Sequence, residues 1–328
     1  MKKMDAMAYH NRGLAKLRQG DLDGAIADCT AAIRLDPKLT AAYHIRGFAK
    51  AVKRDLDGAI ADCTEALRLD PNYAAAYHNR GLAKAAKGDH DGAIADFAQA
   101  YLHRGCAKAR QGDYDGAIAD YNEALRLAPN KVAIYCNRGL ARAKRGDHDG
   151  AIADCNEAIR LDPKYAVAYH NRGCAKVLKG DHDGTIADCT EALRLDPKYA
   201  AAYHNRGFAK AAKGDHDGAI ADFIQAYLHC SYAKVEMGDY DGAIADCTEA
   251  IRLDPKYAAA YNNRGCAKVL KGDYDGAIAD CNEAIRLDPK LTAAYHIRGF
   301  AKAVKGDLDP KKGETNYYYY VICGDGTA

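Results

Sequence analysis

A tyrosine recurs at Tyr9, Tyr43, Tyr77, Tyr101, Tyr135, Tyr169, Tyr203, Tyr227, Tyr261 and Tyr295, and most of the steps between them are 34 residues. A fixed period of that size marks a stacked repeat array, in which each unit buries its apolar face only against its neighbours. Within the first unit, Ala6 to Leu39, the residues Ala6, Tyr9, Gly13 and Lys16 share one face at helical spacing, and so do Ala25, Cys29 and Ala32. Gly20-Asp21 separates the two runs: glycine stops the first helix, and Asp21 or Asp23 accepts first-turn N–H groups of the second. Asp36-Pro37 then ends the unit, because the residue before proline is driven out of the helical region. Each unit therefore reads as a helical hairpin.

Tyr9, Gly13, Ala25, Cys29, Ala32 and Pro37 stand in a pattern that resembles the tetratricopeptide repeat, and the resemblance recurs over residues 6–309. Cysteine often replaces the second-helix aromatic (Cys29, Cys63, Cys155, Cys189, Cys247 and Cys281), and Lys16 stands where an aromatic is usual. The resemblance implies an all-α fold, an α-solenoid of about ten helical hairpins with a concave groove lined by the first helices. It also implies a non-catalytic role in protein–protein interaction.

The period breaks twice. Gly81 to Gly105 is 24 residues instead of 34, and the same shortfall returns between Gly207 and Ser231. The missing residues include the turn and its proline, while Ala93, Phe97, Ala100, Tyr101 and Gly105 keep helical spacing across the junction. This predicts continuous helices near Asp91–Gln111 and Asp217–Met237; a local kink between two short helices is the alternative. Lys38 opens a stretch that returns at Lys290, a separation of 252, twice the 126 residues between the two deletions, so the chain grew by duplicating a four-repeat block. The expected organisation is three stacks, 1–99, 100–225 and 226–309, followed by a non-repeat tail, 310–328. Pro310 and Gly313 oppose a second helix in the last repeat, and Tyr317–Cys323 is an apolar, β-prone run that either covers the open end of the array or has no role.

Composition limits the function. Charge is nearly balanced at formal net +2, which does not indicate a nucleic-acid binder. No long apolar run suggests a membrane span, and the N-terminal stretch lacks the apolar segment of a signal peptide. Nine of the twelve cysteines fall in two repeat columns, the Cys29 column and that of Cys106, Cys174 and Cys266, and no C-x-x-C occurs. They read as reduced packing residues and point to a reducing, cytoplasmic setting.

Recurring residues are also poor candidates for catalysis. Histidines repeat in the His10 and His90 columns, one per hairpin, too far apart to converge on a metal. The aspartates of Gly-Asp-x-Asp-Gly repeat too, and helix capping explains them. No nucleophile–base pair, phosphate loop or cofactor motif stands out, so neither an enzyme nor a cofactor is expected. The Arg12 column reads as pairing with the Asp28 column, with ligand contact as the alternative.

The Asn11 column is the candidate binding row: Asn79, Asn137, Asn171, Asn205 and Asn263. In the resembling family the matching column faces the groove, where asparagines grip a peptide backbone; otherwise these amides sit on a solvated face. His170 and His204 would add contacts, and Leu140, Cys174 and Phe208 would receive apolar side chains. Lysines needed for the carboxylate clamp of chaperone-binding members are absent from the Met7 and His10 columns. The expectation is a scaffold that binds a peptide segment of a partner protein. The alternatives are a self-associating assembly protein, a homo-oligomer formed through the open array ends, and an accessory subunit of an enzyme complex.

Overall fold

The computed structural model describes residues 5–306, and among them it holds seventeen α-helices and no strand. The chain divides at Pro163 into two compact units, each an α-solenoid. In the first unit α1 (Ala6–Arg18) pairs with α2 (Leu22–Leu35), and α3 (Thr40–Val52) with α4 (Leu56–Leu69). Next, α5 (Ala74–Ala86) packs on α6 (His90–Arg110), which in turn packs on α7 (Tyr114–Leu127), and α8 (Val132–Arg145) pairs with α9 (His148–Leu161). The second unit holds α10 (Ala166–Leu178), α11 (His182–Leu195), α12 (Ala200–Ala212), α13 (His216–Glu236), α14 (Tyr240–Leu253), α15 (Ala258–Lys271), α16 (Tyr274–Leu287) and α17 (Thr292–Lys305). Pro310, Gly313 and the Tyr317–Cys323 run lie outside the described residues.

Both turn deletions yield single helices. α6 and α13 are each 21 residues long and start one residue before the expected bounds. With the turn and its proline removed, nothing interrupts the apolar stripe. The first half of each serves as the second helix of one hairpin and the latter half as the first helix of the next.

Local chemistry sets each turn. Gly20 takes φ +83°, and Asp21, not Asp23, caps α2 by accepting from the Gly24 N–H at 2.8 Å. The same Asp–Gly bond recurs at Asp55, Asp89, Asp113 and onward to Asp273. The core is built from small residues: Ala25, Cys29, Ala32, Ala42 and Ala49 are all fully buried. Gly13 lets α1 close on α2, since a Cβ there would stand 2.9 Å from Cys29 Sγ and 3.3 Å from the Ala25 carbonyl oxygen. Burial pushes the Cys29 thiol up to about 11 and the Cys63, Cys189 and Cys281 thiols up to about 12, so they remain neutral packing groups.

Within each unit the first helices touch their successors, α1 with α3 and α3 with α5, α13 with α15 and α15 with α17. Second helices such as α2 and α4 do not touch one another. The first helices therefore form the inner, closer-packed row, which is the row that carries the Asn11 column.

Candidate functional site

Each first helix is fastened to its own second helix by a repeated ion pair. Arg46 donates from Nε to Asp62 Oδ2 at 2.9 Å and from Nη2 to Oδ1 at 2.6 Å. Lys50 Nζ stands 2.8 Å from Oδ2, and Arg46 Nη1 reaches back to Thr30 Oγ1 at 3.2 Å. The guanidinium lies over the Tyr43 ring, 5.6 Å from its centroid. Arg80–Asp96 and Arg172–Asp188 repeat the fork, as the sixteen-residue spacing predicts. At Asp28 the Arg12 hydrogen bond outweighs burial and holds the carboxyl below the usual range. These arginines are structural clamps that leave the neighbouring face to other side chains.

That face carries one apolar residue per repeat in the Leu14 column, and five of the ten are exposed. In the first unit it presents Phe48, Leu82 and Leu140, and in the second Phe208 and Tyr232, each between 37% and 54% exposed. Cys106 and Cys174 continue the column half-buried. Isolated apolar side chains on a surface mean little, but apolar residues repeated on successive first helices of one unit make a ligand-sized surface.

The asparagines do not form a uniform edge. Asn79 is buried between α3 and α5, where its Nδ2 donates to His44 Nε2 at 2.9 Å while His44 Nδ1 faces the Tyr73 hydroxyl at 3.1 Å. Burial pushes His44 down, keeping the ring neutral. Asn137 is half-buried and leans on Cys106 Sγ at 3.6 Å, and Asn205 donates to Cys174 Sγ at 2.9 Å. Asn171 and Asn263 are half-buried, and Asn262 Nδ2 donates to Asn263 Oδ1 at 3.3 Å. His204 is exposed and packs edge-on against Phe208, with ring centroids 4.7 Å apart. His170 is buried, and desolvation pushes it down to about 4.

One pocket escaped the sequence reading. A cavity of ≈150 Å³ lies on the inner row of the second unit, among Tyr232 of α13, Asn262, Asn263 and Cys266 of α15, and Ile297 and Phe300 of α17. Asn262 Oδ1 is buried there without a hydrogen-bond partner among the described residues. Counting from the tyrosine column puts Tyr232 in the Leu14 column, which was the available signal. Among the described residues no group of His, Cys, Asp or Glu side chains is placed to hold a metal ion, and no helix is long and apolar enough to cross a membrane.

Hairpins of this length, stacked with a Tyr–Gly–Ala–Pro signature and an inner row of first helices, define a class of helical repeat proteins. Models described as tetratricopeptide repeat match residues 6–39, 49–105, 102–166, 166–199 and 258–291, and one described as TPR repeat matches 232–269. The chain belongs to the tetratricopeptide repeat family.

Among solved structures it is similar to MamA, at 26% identity over 57% of this chain and 96% of that one, with a TM-score of 0.35. It is similar to the TPR domain of Arabidopsis OM64, at 25% identity over 36% and 98% of the two chains, with a TM-score of 0.36. A third similar structure is the first TPR of Spaghetti (RPAP3) bound to an HSP90 peptide, at 26% identity over 36% and 93%, with a TM-score of 0.35. No curated protein sequence matches the chain significantly.

Proposed function

We propose that the chain is a non-catalytic interaction scaffold that binds an extended peptide segment of a partner protein along the inner row of first helices. The observation that carries this reading is the exposed Leu14 column flanked by amides, a line of apolar seats beside groups able to pair with a peptide backbone. An amide both donates and accepts, so each asparagine can satisfy one carbonyl and one N–H of an extended strand. In the second unit Asn171, Asn205 and Asn263, with His204, form the polar edge of this proposed surface and Cys174 and Phe208 its apolar floor; Asn137 and Leu140 hold the corresponding positions in the first unit. Asn79 and His170, both buried, contribute by holding the neighbouring side chains in place within their own units. The division into stacks 1–99, 100–225 and 226–309 belongs to the same proposal, with the fused helices as joints. So does a reducing, cytoplasmic setting in which the buried thiols stay intact.

The test is selection of binders from a random peptide library on the full chain, followed by anisotropy measurements on the selected peptides. Asn171, Asn205 and Asn263 changed together to alanine should weaken binding to the second unit by a few kcal/mol, at about 0.5–1.5 kcal/mol per hydrogen bond. Peptides that bind the triple variant and a Leu140→Ser, Phe208→Ser variant as tightly as the parent chain would overturn the assignment of this face.

A further inference from the structure

The arginine column is broken once. Nine second helices carry the Asp28-column aspartate, and eight of these carboxylates receive the two-pronged arginine, with N–H···O distances of 2.5–3.0 Å. Every one of the eight guanidiniums also lies over a tyrosine ring three residues earlier, 5.0–5.6 Å from the centroid. The ninth carboxylate is Asp246. The residue sixteen positions before it is Cys230, too short to reach and unable to form the fork.

The duplicated block supplies an internal control. Tyr101, Arg104, Lys108 and Asp120 of the first copy correspond, 126 residues on, to Tyr227, Cys230, Lys234 and Asp246 of the second. In the first copy Arg104 fills the place, 2.8 Å and 2.7 Å from the Asp120 oxygens and over Tyr101, with Lys108 alongside at 3.0 Å. In the second copy Lys234 keeps its position, 2.8 Å from Asp246 Oδ2. Beyond this ion pair, no side chain is recorded as donating to the buried Asp246 Oδ2 among the described residues, and no guanidinium covers Tyr227. The side chain of Asp246 is 14% exposed, against 3–6% for the eight paired aspartates.

The place is also open from outside. In an ordinary repeat the second helix of the preceding hairpin covers the arginine, as Thr30 covers Arg46, whose side chain is 16% exposed. A fused helix removes that cover, and Arg104 on α6 is 55% exposed. On α13 the same opening leads into a cavity of ≈770 Å³ lined by Tyr227, Cys230, Lys234 and Asp246, and by Tyr199 and His204 from α12 and the turn before it. Fusion and the arginine-to-cysteine difference together leave a seat with its carboxylate, lysine and ring in place and its guanidinium missing.

We infer that the notch between Tyr227, Cys230 and Asp246 is a receptor for a guanidinium group, the side chain of an arginine presented by a partner polypeptide. The seat selects arginine over lysine because the missing donors are two parallel N–H groups and the missing body is a flat cation that stacks on tyrosine. Lys234 does not repel the guest, because the eight filled seats hold a lysine or arginine on the same aspartate as well. The site stands whether or not the inner row binds peptides, because its probe is a single amino-acid derivative.

N-acetyl-arginine methylamide is titrated into the full chain while backbone amide resonances of α13 and α14 are followed. The expected result is saturable binding in the millimolar range, at least tenfold weaker for N-acetyl-lysine methylamide. Asp246→Asn should abolish it. Cys230→Arg should abolish it too while raising the melting temperature, since the seat is then filled from within; this variant keeps the test sound if Asp246→Asn fails to fold. Arg104→Cys should create a second site, detected as doubled stoichiometry with new shifts on α6 and α7. No saturable shift, equal binding of the lysine derivative, or binding that survives Cys230→Arg would overturn the proposal.

Discussion

Arg80 grips Asp96 through two parallel bonds, Nε to Oδ2 at 2.9 Å and Nη2 to Oδ1 at 2.7 Å, while its Nη1 reaches Thr64 Oγ1 at 3.3 Å. One guanidinium thus ties α4, α5 and α6 together. The Asp96 side chain is 5% exposed and that of Arg80 18%, so removing the arginine strands a desolvated carboxylate with only Lys84 beside it. Arg80→Ala should cost toward the lower end of the roughly 3–5 kcal/mol typical of breaking a buried pair. Arg104→Ala, on the more open α6 with no reach-back bond, should cost about 1 kcal/mol. Urea titrations followed by helical circular dichroism compare the two. Equal losses would mean that burial and the third bond contribute nothing.

Arg54 occupies a position that glycine fills in the other nine repeats. Its φ is +68°, where Gly20, Gly88, Gly112 and their equivalents lie between +79° and +94°. The left-handed region costs a side-chain-bearing residue roughly 1–2 kcal/mol, and glycine's extra unfolded-state freedom gives back about 0.5–1 kcal/mol. Arg54→Gly should therefore stabilise the first unit by about 0.5–1 kcal/mol, seen as a higher urea midpoint at unchanged slope. A lower midpoint would show that Arg54 makes a compensating contact.

Much of this was readable from the sequence because the repeat reports each position many times. The hairpins, the fused helices and the Arg12–Asp28 pairing all follow from spacing within one unit. The contacts between units were not readable in the same way. His44 with Asn79 and Cys174 with Asn205 are 35 and 31 residues apart and join successive first helices, so the Asn11 column looked uniform when its members are not. That Asp21 and not Asp23 caps α2 depends on backbone angles that composition does not reveal. The gap at Cys230 was visible as a missing arginine, but its meaning required the fused helix that uncovers Asp246.

Acid should weaken the second unit through His170. Burial holds its imidazole at about 4, against an ordinary value of 6.5. Its Nδ1 is buried with no hydrogen-bond partner among the described residues, and its Nε2 lies 3.4 Å from Cys174 Sγ. Between those two values the unfolded chain holds the proton and the folded chain does not, so stability is full above about pH 6.5 and falls as pH drops toward 4. The loss from this one group is at most about 3 kcal/mol, at 1.36 kcal/mol per unit. Burial also pushes down His229 in the same unit, and His44 and His103 in the first unit, so each adds to the loss of stability in acid. His170→Asn isolates one share: its unfolding free energy should fall less between pH 7 and pH 4 than that of the parent chain. Parallel curves would place the imidazole in contact with water.

Two asparagines of one column should behave oppositely. Asn79 is buried and donates to His44, so Asn79→Ala leaves a desolvated acceptor unpaired and should cost about 1–3 kcal/mol of stability. Asn205 is half-buried and gives its amide only to the Cys174 sulfur, a weak acceptor, so Asn205→Ala should change the urea midpoint little. If the inner row binds an extended peptide, that same Asn205→Ala should weaken a selected peptide about two- to tenfold, the worth of one net hydrogen bond. Phe208→Ser, which removes a ring already 54% exposed, should leave folding intact and cost the peptide roughly 1.5–3 kcal/mol if that ring is covered on binding. The pairing of outcomes is the informative part. A stability loss at Asn205 with no change in affinity would move it into the structural group with Asn79 and leave the apolar row as the whole of the binding face.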